Sequence, residues 1–239
     1  VRTGIVKAGD LVGSHCITPR YLLDQLDRSR ANLGLATLDV YYVHNPEQQL
    51  DEVSRPAFLD RLREAFTALE GAVRDGKIRL YGAATWNGFR ADPGERGYLS
   101  LAELVGLARE AGGAGHHFRV VQLPYNLAMP EAFTRANQKL DGGGFFSTLD
   151  AARHLGLYVM ASASILQGKL TQGLPAEFGD LVPGLATDAQ RAIQFVRSTP
   201  GIGTALIGMK SVAHVDENLA VAAVEPLGGA QVKRLFSEG

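Results

Sequence analysis

With 239 residues, 46% hydrophobic and 21% charged, and a formal net charge of -1, the chain can bury one large core. It has no charge excess suited to nucleic acid or to an anionic membrane surface. Cys16 is the sole cysteine, which excludes an internal disulfide framework, and no apolar run is long enough to cross a bilayer, so a reducing, cytoplasmic setting is expected.

The chain opens Val1-Arg2-Thr3-Gly4, without an initiator Met and without the order of a signal peptide, which reads as a fragment. Residues 1–17 are glycine-dotted and aperiodic, a long loop with a weak strand at Ile5-Val6. Thr18 followed by Pro19 is an N-cap and first-turn proline; Tyr21, Leu22, Leu26 and Leu33 recur at helical spacing until Gly34. Leu38 to Val43 is a nearly continuous apolar and aromatic run, as a strand buried on both faces requires, and it ends at His44-Asn45-Pro46. Phe58, Leu62, Phe66, Leu69 and Val73 form the stripe of a second helix that ends near Gly76.

A second strand spans Ile78 to Thr85 and breaks at Trp86-Asn87-Gly88. A helix over Ser100 to Ala111 leads to a third strand, Phe118 to Asn126. After Gly142-Gly143-Gly144 come a helix at Ser147 to Leu155 and a strand at Leu157 to Ser164. Thr187 caps a helix ending before Pro200, Thr204 to Gly208 is the last strand, and a helix runs from Val212 to Val224.

Strand starts at 38, 78, 118, 157 and 204 give a regular period near 40 residues with a glycine before each start. Such a βα period denotes a parallel sheet with crossover helices, met by both a doubly wound open sheet and a (β/α)8 barrel. No G-x-G-x-x-G follows any strand, which disfavours the Rossmann variant.

The strand ends carry more. His44-Asn45-Pro46, Gly82-Ala83-Ala84-Thr85, Gln122-Leu123-Pro124-Tyr125-Asn126, Leu166-Gln167-Gly168-Lys169 and Gly208-Met209-Lys210-Ser211 with Glu217-Asn218 together resemble the aldo-keto reductases, over about Thr18 to Val224. The resemblance implies an α/β fold, a (β/α)8 TIM barrel, here N-terminally incomplete with strands four to eight in one partial domain, 1–239. It also implies NADPH-dependent reduction of a small aldehyde or ketone, the fragment being inactive, and aggregation-prone, by itself. The alternative is a nucleotide-binding regulatory or scaffold protein on the same barrel.

Of the family's Asp, Tyr, Lys and His tetrad, the resemblance supplies His44 as the catalytic residue and places the Asp and Tyr upstream. Lys7 is the one candidate for the tetrad lysine, and a loop lysine is the preferred reading of it. The implied NADP(H) site comprises Thr85, Asn87 and Gln122 at the nicotinamide carboxamide, and Ser162, Ser164, Leu166, Gln167 and Gly168 after the 157–164 strand. Gly208, Met209, Lys210, Ser211 and His214 follow at the adenosine 2'-phosphate, with Glu217 and Asn218 at the adenine. Ala84 and Ser162 depart from the family pattern, where a serine and often an aromatic stand. Without the resemblance, His44 reads as a satisfied core histidine, Gln122 as a backbone-bonded amide and Lys210 as an exposed loop lysine. His15-Cys16 and His116-His117 lack metal-ligand spacing and read as solvated loop residues, and Asp150, Arg153 and His154 as a polar helix face.

Overall fold

The computed structural model describes residues 4–236. Helix α1 (Pro19–Leu33) begins on a proline, whose missing N–H costs nothing in a first turn, and stops at Gly34 in the left-handed region, φ 66°. Thr18 occupies the N-cap position, but its hydroxyl caps nothing and instead lies 3.3 Å from Cys16 Sγ, so the capping role expected of it is not met. Strand β1 (Leu38–His44) and helix α2 (Arg55–Arg74) follow, the helix capped by Ser54 Oγ, which accepts from Ala57 N. Strand β2 (Ile78–Ala84), helix α3 (Leu101–Gly112) and strand β3 (Phe118–Pro124) repeat the unit.

A short helix α4 (Glu131–Thr134) leads into an antiparallel hairpin of β4 (Ala136–Lys139) and β5 (Phe145–Ser147), whose turn uses Gly142 and Gly143 at φ 99° and 90°. Helix α5 (Thr148–His154), strand β6 (Tyr158–Ser162) and helix α6 (Ala176–Leu181) come next. Helix α7 (Asp188–Ser198) starts with a capping box made by Thr187 and Gln190. Strand β7 (Thr204–Ala205), helix α8 (Val212–Leu219) and helix α9 (Gly229–Arg234) complete the order. The weak strand expected at Ile5-Val6 is absent, replaced by bends and a bridge between Val12 and His15. The last strand is far shorter than the expected Thr204 to Gly208, because the chain leaves the ladder once Leu206 N has bonded to Ala161 O.

The main sheet has the order β1-β2-β3-β6-β7, every neighbouring pair parallel, with His44 opposite Ala84 and Gln122 opposite both Ala84 and Met160. Each crossover therefore moves the chain in the same direction. Right-handed crossovers that never reverse put all their helices on one face, which excludes a doubly wound sheet. The core agrees: Val43, Tyr81, Ala83, Val121, Leu123, Val159 and Ala161 join Leu62, Phe66, Leu69, Leu104, Phe195 and other helix residues in one apolar cluster.

The alternate register, Val40, Tyr42, Gly82, Ala84, Val120 and Met160, faces away from the helices and contributes nothing to that cluster. Strand β1 is accordingly not buried on both faces as its composition suggested. Leu38 and Val43 are buried, Val40, Tyr41 and Tyr42 are half-buried, and Asp39 and His44 are exposed.

Candidate functional site at the carboxyl ends of the strands

His44 closes β1 with its side chain exposed, and the chain then turns through Asn45 in the left-handed region, φ 44°. Asn45 N still donates to Ala84 O at 2.6 Å, so the turn begins only after the parallel ladder is complete. Behind His44 lies a chain of fixed bonds. His15 Nε2 meets His44 O at 2.7 Å, Gln49 Nε2 meets His15 Nδ1 at 2.8 Å, and Arg61 donates to Gln49 Oε1. His15 therefore bridges the two, its Nε2 on the His44 carbonyl and its Nδ1 on the Gln49 amide. His15 and buried Cys16 are thus packed structural residues, which corrects their reading as solvated loop. His44, His15 and Tyr42 line a cleft of about 300 Å³.

At the end of β2, Thr85 N donates to Gln122 O at 2.9 Å, extending the β2–β3 pairing. Thr85 is 4% exposed, yet its Oγ1 has no partner among the described residues, an orphaned buried hydroxyl at a strand end. Trp86 and Asn87 are exposed. Their backbone N–H groups and that of Gly88 all donate to Glu47 Oε1, at 3.1, 3.3 and 3.3 Å. Glu47 was not anticipated from the sequence, where a glutamate after Asn45-Pro46 looks like an ordinary loop charge. Gln122 is half-buried at the open face of β3, and among the described residues its side chain has no hydrogen bond.

The loop after β6 is the most unusual backbone in the chain. Ala163, Leu166 and Gln167 all lie at positive φ, 54°, 46° and 54°, followed by Gly168 at 90°. Three non-glycine residues in the left-handed region within one loop store strain of a kind that gathers at ligand sites. Buried Asn126 holds the loop in place, its Nδ2 donating to Ala163 O at 2.9 Å, and Thr171 Oγ1 donates to Gly168 O at 2.7 Å. Across from it, Ser211 caps α8 by accepting from His214 N, and Gln190 Nε2 donates to Glu217 O, tying α8 to α7.

Between these two loops lies a cavity of about 810 Å³, within the usual range for small-molecule sites. It brings together Ser164, Gln167, Gly168, Gly208, Met209, Lys210, His214, Glu217 and Asn218 from the set expected to hold the cofactor. Ala163, Ile165, Thr171, Ala189 and Leu206 also line it and were not anticipated from the sequence. His44, Thr85, Asn87, Gln122, Ser162, Leu166 and Ser211 are not among its lining residues; they sit at neighbouring strand and loop ends. Lys7 is exposed and precedes a turn of 3-10 helix at Ala8–Asp10, outside any strand.

The His116-His117 pair lies at the opposite end of β3; His116 is packed rather than solvated, while the His117 side chain is 41% exposed. His116 is buried, and burial together with the Arg119 guanidinium beside it lowers its pKa. His117 donates to buried Glu70 from its backbone N–H at 2.7 Å and from Nδ1 at 2.8 Å. Asp150 and Arg153 form an exposed ion pair, with His154 also exposed. Among the described residues no group of three or more His, Cys, Asp or Glu is placed to hold a metal ion, and no helix is long and apolar enough to cross a membrane.

A singly wound parallel sheet with a cavity and strained loops at its carboxyl edge is an arrangement also met in βα barrel proteins. Residues 6–91 match the model of the Aldo/keto reductase family. Among solved structures, an aldo-keto reductase from Bacillus halodurans in its holo form is similar at 14% identity, with a TM-score of 0.60, over 92% of this chain and 68% of that one. A putative 2,5-diketo-D-gluconic acid reductase B gives 18% identity and a TM-score of 0.63, over 96% of this chain and 66% of that one. A thermostable aldo-keto reductase in complex with the inhibitor epalrestat gives 18% and 0.61, over 93% and 68%. The chain spans about two thirds of the length of these structures. No curated protein matches it in sequence. The family match is confined to residues 6–91, while the fold is shared with these structures along nearly the whole chain.

Proposed function

We propose that this chain forms the nucleotide-binding sector of an NADP(H)-dependent oxidoreductase that reduces a small aldehyde or ketone, its five parallel strands being the fourth to eighth of a (β/α)8 barrel. The observation that carries the reading is the cavity of about 810 Å³ at the carboxyl edge, lined from one side by Ser164, Gln167 and Gly168 and from the other by Gly208, Met209, Lys210, His214, Glu217 and Asn218. A cytoplasmic setting goes with the reading, supported by the single, buried, unpaired Cys16.

The donor set fits a dinucleotide phosphate. Lys210 supplies a cation beside the amino end of α8, where unpaired backbone N–H groups and the helix dipole favour a phosphate, and Ser211 Oγ, used as an acceptor by the cap, keeps its own proton to donate. Glu217 and Asn218, one turn further along, offer acceptors and an amide for an adenine edge. Thr85, Asn87 and Gln122 present one hydroxyl and two amides suited to a carboxamide, and the orphaned Thr85 hydroxyl is a buried group in want of such a partner. Ser162 and Leu166 flank the path between the two ends.

The cofactor, when bound, supplies the hydride. His44, exposed at the mouth of the sheet and backed by the fixed His15, donates or orients a hydrogen bond at the substrate carbonyl oxygen. The test is direct titration with NADPH, followed by calorimetry and by the emission of Trp86, the only tryptophan. Saturable binding that quenches Trp86 is expected. A flat isotherm overturns the reading.

A further inference from the structure

We propose that Glu47 is a positioning residue that locks the turn after β2 to the end of β1 and thereby fixes which groups of that turn are left to meet a ligand. Glu47 follows His44 by three residues and is 9% exposed. The left-handed Asn45 and the succeeding Pro46 swing the chain back so that the Glu47 carboxylate faces the neighbouring strand's end. There Oε1 accepts from three consecutive backbone N–H groups, those of Trp86, Asn87 and Gly88.

Successive N–H groups that converge in this manner form a concavity for an anion, and bonds to an ionised acceptor are roughly twice as strong as neutral ones. In this chain the anion is the protein's own carboxylate. The concavity is therefore occupied, and no phosphate can use it. Thr85 N is committed to Gln122 O, and the Asn87 carbonyl accepts from Arg90 N and Ala91 N at 2.8 and 2.9 Å. With the backbone donors from Thr85 to Gly88 all spent, a ligand acceptor finds its donor in this turn only on side chains: the Thr85 hydroxyl, which is buried and unpartnered, the Asn87 amide and the Trp86 indole.

The assignment of those side chains to a nicotinamide carboxamide rests on the function proposed above; the lock itself does not. Because Glu47 and His44 share one turn, the lock sets the spacing between the group at the substrate carbonyl and the groups at the carboxamide. Its absence would cost position before it cost fold.

Three measurements on the whole chain test this. In the unaltered protein, hydrogen exchange at the amides of Trp86, Asn87 and Gly88 should be protected although Trp86 and Asn87 are exposed residues. Glu47→Met, which keeps volume and removes the acceptor, should raise the acrylamide quenching of Trp86 severalfold, whereas Glu47→Gln, which keeps an acceptor oxygen, should restore quenching close to the unaltered value. NADPH should bind Glu47→Met about tenfold more weakly, a change of about 1.4 kcal/mol, with Glu47→Gln close to the unaltered protein. Freely exchanging amides at 86–88 overturn the proposal even if Glu47→Met does not fold, as does wild-type quenching in Glu47→Met. If exchange and quenching follow expectation but the unaltered protein binds no nucleotide, the lock stands and the cofactor assignment falls.

Discussion

Tyr42 Oη donates to Met160 Sδ across 3.2 Å, although two strands, β2 and β3, lie between their own strands β1 and β6. Neighbouring strands run about 4.8 Å apart, so three such spacings would hold these residues about 14 Å apart on a flat sheet. Side chains stand roughly perpendicular to a sheet and do not reach sideways over that distance. The contact requires the face away from the helices to be strongly concave. Burial in that concavity, with the Tyr158 hydroxyl nearby as a second cause, pushes the Tyr42 phenol up to about 12, so it stays protonated at neutral pH. A sheet that winds in one direction and curls in this way has the curvature a barrel needs.

Gly82 makes the curl possible, and replacing it should undo it. The β2–β3 register slips between Tyr81 and Gly82, and a Cβ on Gly82 would fall 1.7 Å from Val120 O and 3.3 Å from Tyr42 Cε1. The first clash is with backbone, which cannot rotate aside. Gly82→Ala should therefore lose at least the 1–3 kcal/mol, roughly, that overpacking a core costs. A fall in the urea midpoint with an unchanged slope is the expected result; an unchanged midpoint would mean the sheet is flatter than described.

Glu70 gives a prediction in pH. The carboxylate is 3% exposed and accepts from Tyr81 Oη at 3.0 Å and from the backbone and ring of His117. Burial alone would raise its pKa, but the His117 bonds and the tyrosine outweigh it and leave the group below its ordinary 4.5. A folded-state pKa lowered in this way contributes stability that is present above 4.5 and is lost as the pH falls below 4.5 through the folded value. Glu70→Gln should accordingly be less stable than the unaltered protein at pH 7, and the gap should narrow on acidification into that range. Urea midpoints at pH 7 and below pH 4 decide it, a gap that stays constant counting against the argument. Gly112→Ala should mimic the loss at neutral pH, since its Cβ would lie 2.6 Å from the Glu70 carboxyl group.

The sequence revealed the parts of this fold that repeat. The strands near 38, 78, 118 and 157 and the helices on Ser100, Ser147 and Thr187 caps stand close to where periodicity and capping chemistry placed them, because each pairs an apolar run with a local stop signal. The β4–β5 hairpin stayed hidden, since its buried positions are Asn137, Gln138 and Ser147. The two amides are satisfied chiefly by distant backbone, Asn137 at Phe89 and Ala91, with the Thr148 hydroxyl on its Oδ1, and Gln138 at Leu99 and Leu101. Glu47, Glu70 and His15 were misjudged or missed for the same reason: a polar residue held by partners outside its own element leaves no local pattern. The cavity-lining residues of the loop after β6 and of the segment entering α8 were legible only through family resemblance, because nothing in their spacing says that the two loops face each other.

If His44 orients the carbonyl, its removal should fall on turnover and spare the nucleotide. Losing one positioned acid or oxyanion donor costs about 10²-fold or more, and His44→Ala should show that loss in steady-state reduction of a simple aldehyde by the full-length protein. NADPH affinity should change little, since His44 lines the cleft with His15 and Tyr42 and not the larger cavity. The backbone bond from His15 to His44 O survives the substitution, so stability should change little as well. Unaltered turnover would leave His44 a structural residue at a strand end.

On the proposed reading, Lys210 carries the choice between the two nicotinamide dinucleotides. It is exposed on the cavity wall between Met209 and the Ser211 cap of α8, and His214 lies one turn along the same helix. A lysine ammonium is a compact point charge on a flexible stem that can reach a phosphate, so the attraction to a 2'-phosphate should come chiefly from Lys210. NADH lacks that phosphate and gains nothing from the cation. Lys210→Met should weaken NADPH by about 1–3 kcal/mol, the scale of a charge-assisted hydrogen bond, and leave NADH nearly untouched. Raising the salt concentration should narrow the NADPH difference, because the lysine is exposed and its field is screened within about 10 Å at 0.1 M ionic strength. Calorimetric titration of both nucleotides against both proteins checks the expectation, and equal losses for NADPH and NADH would show that Lys210 does not read the 2'-phosphate.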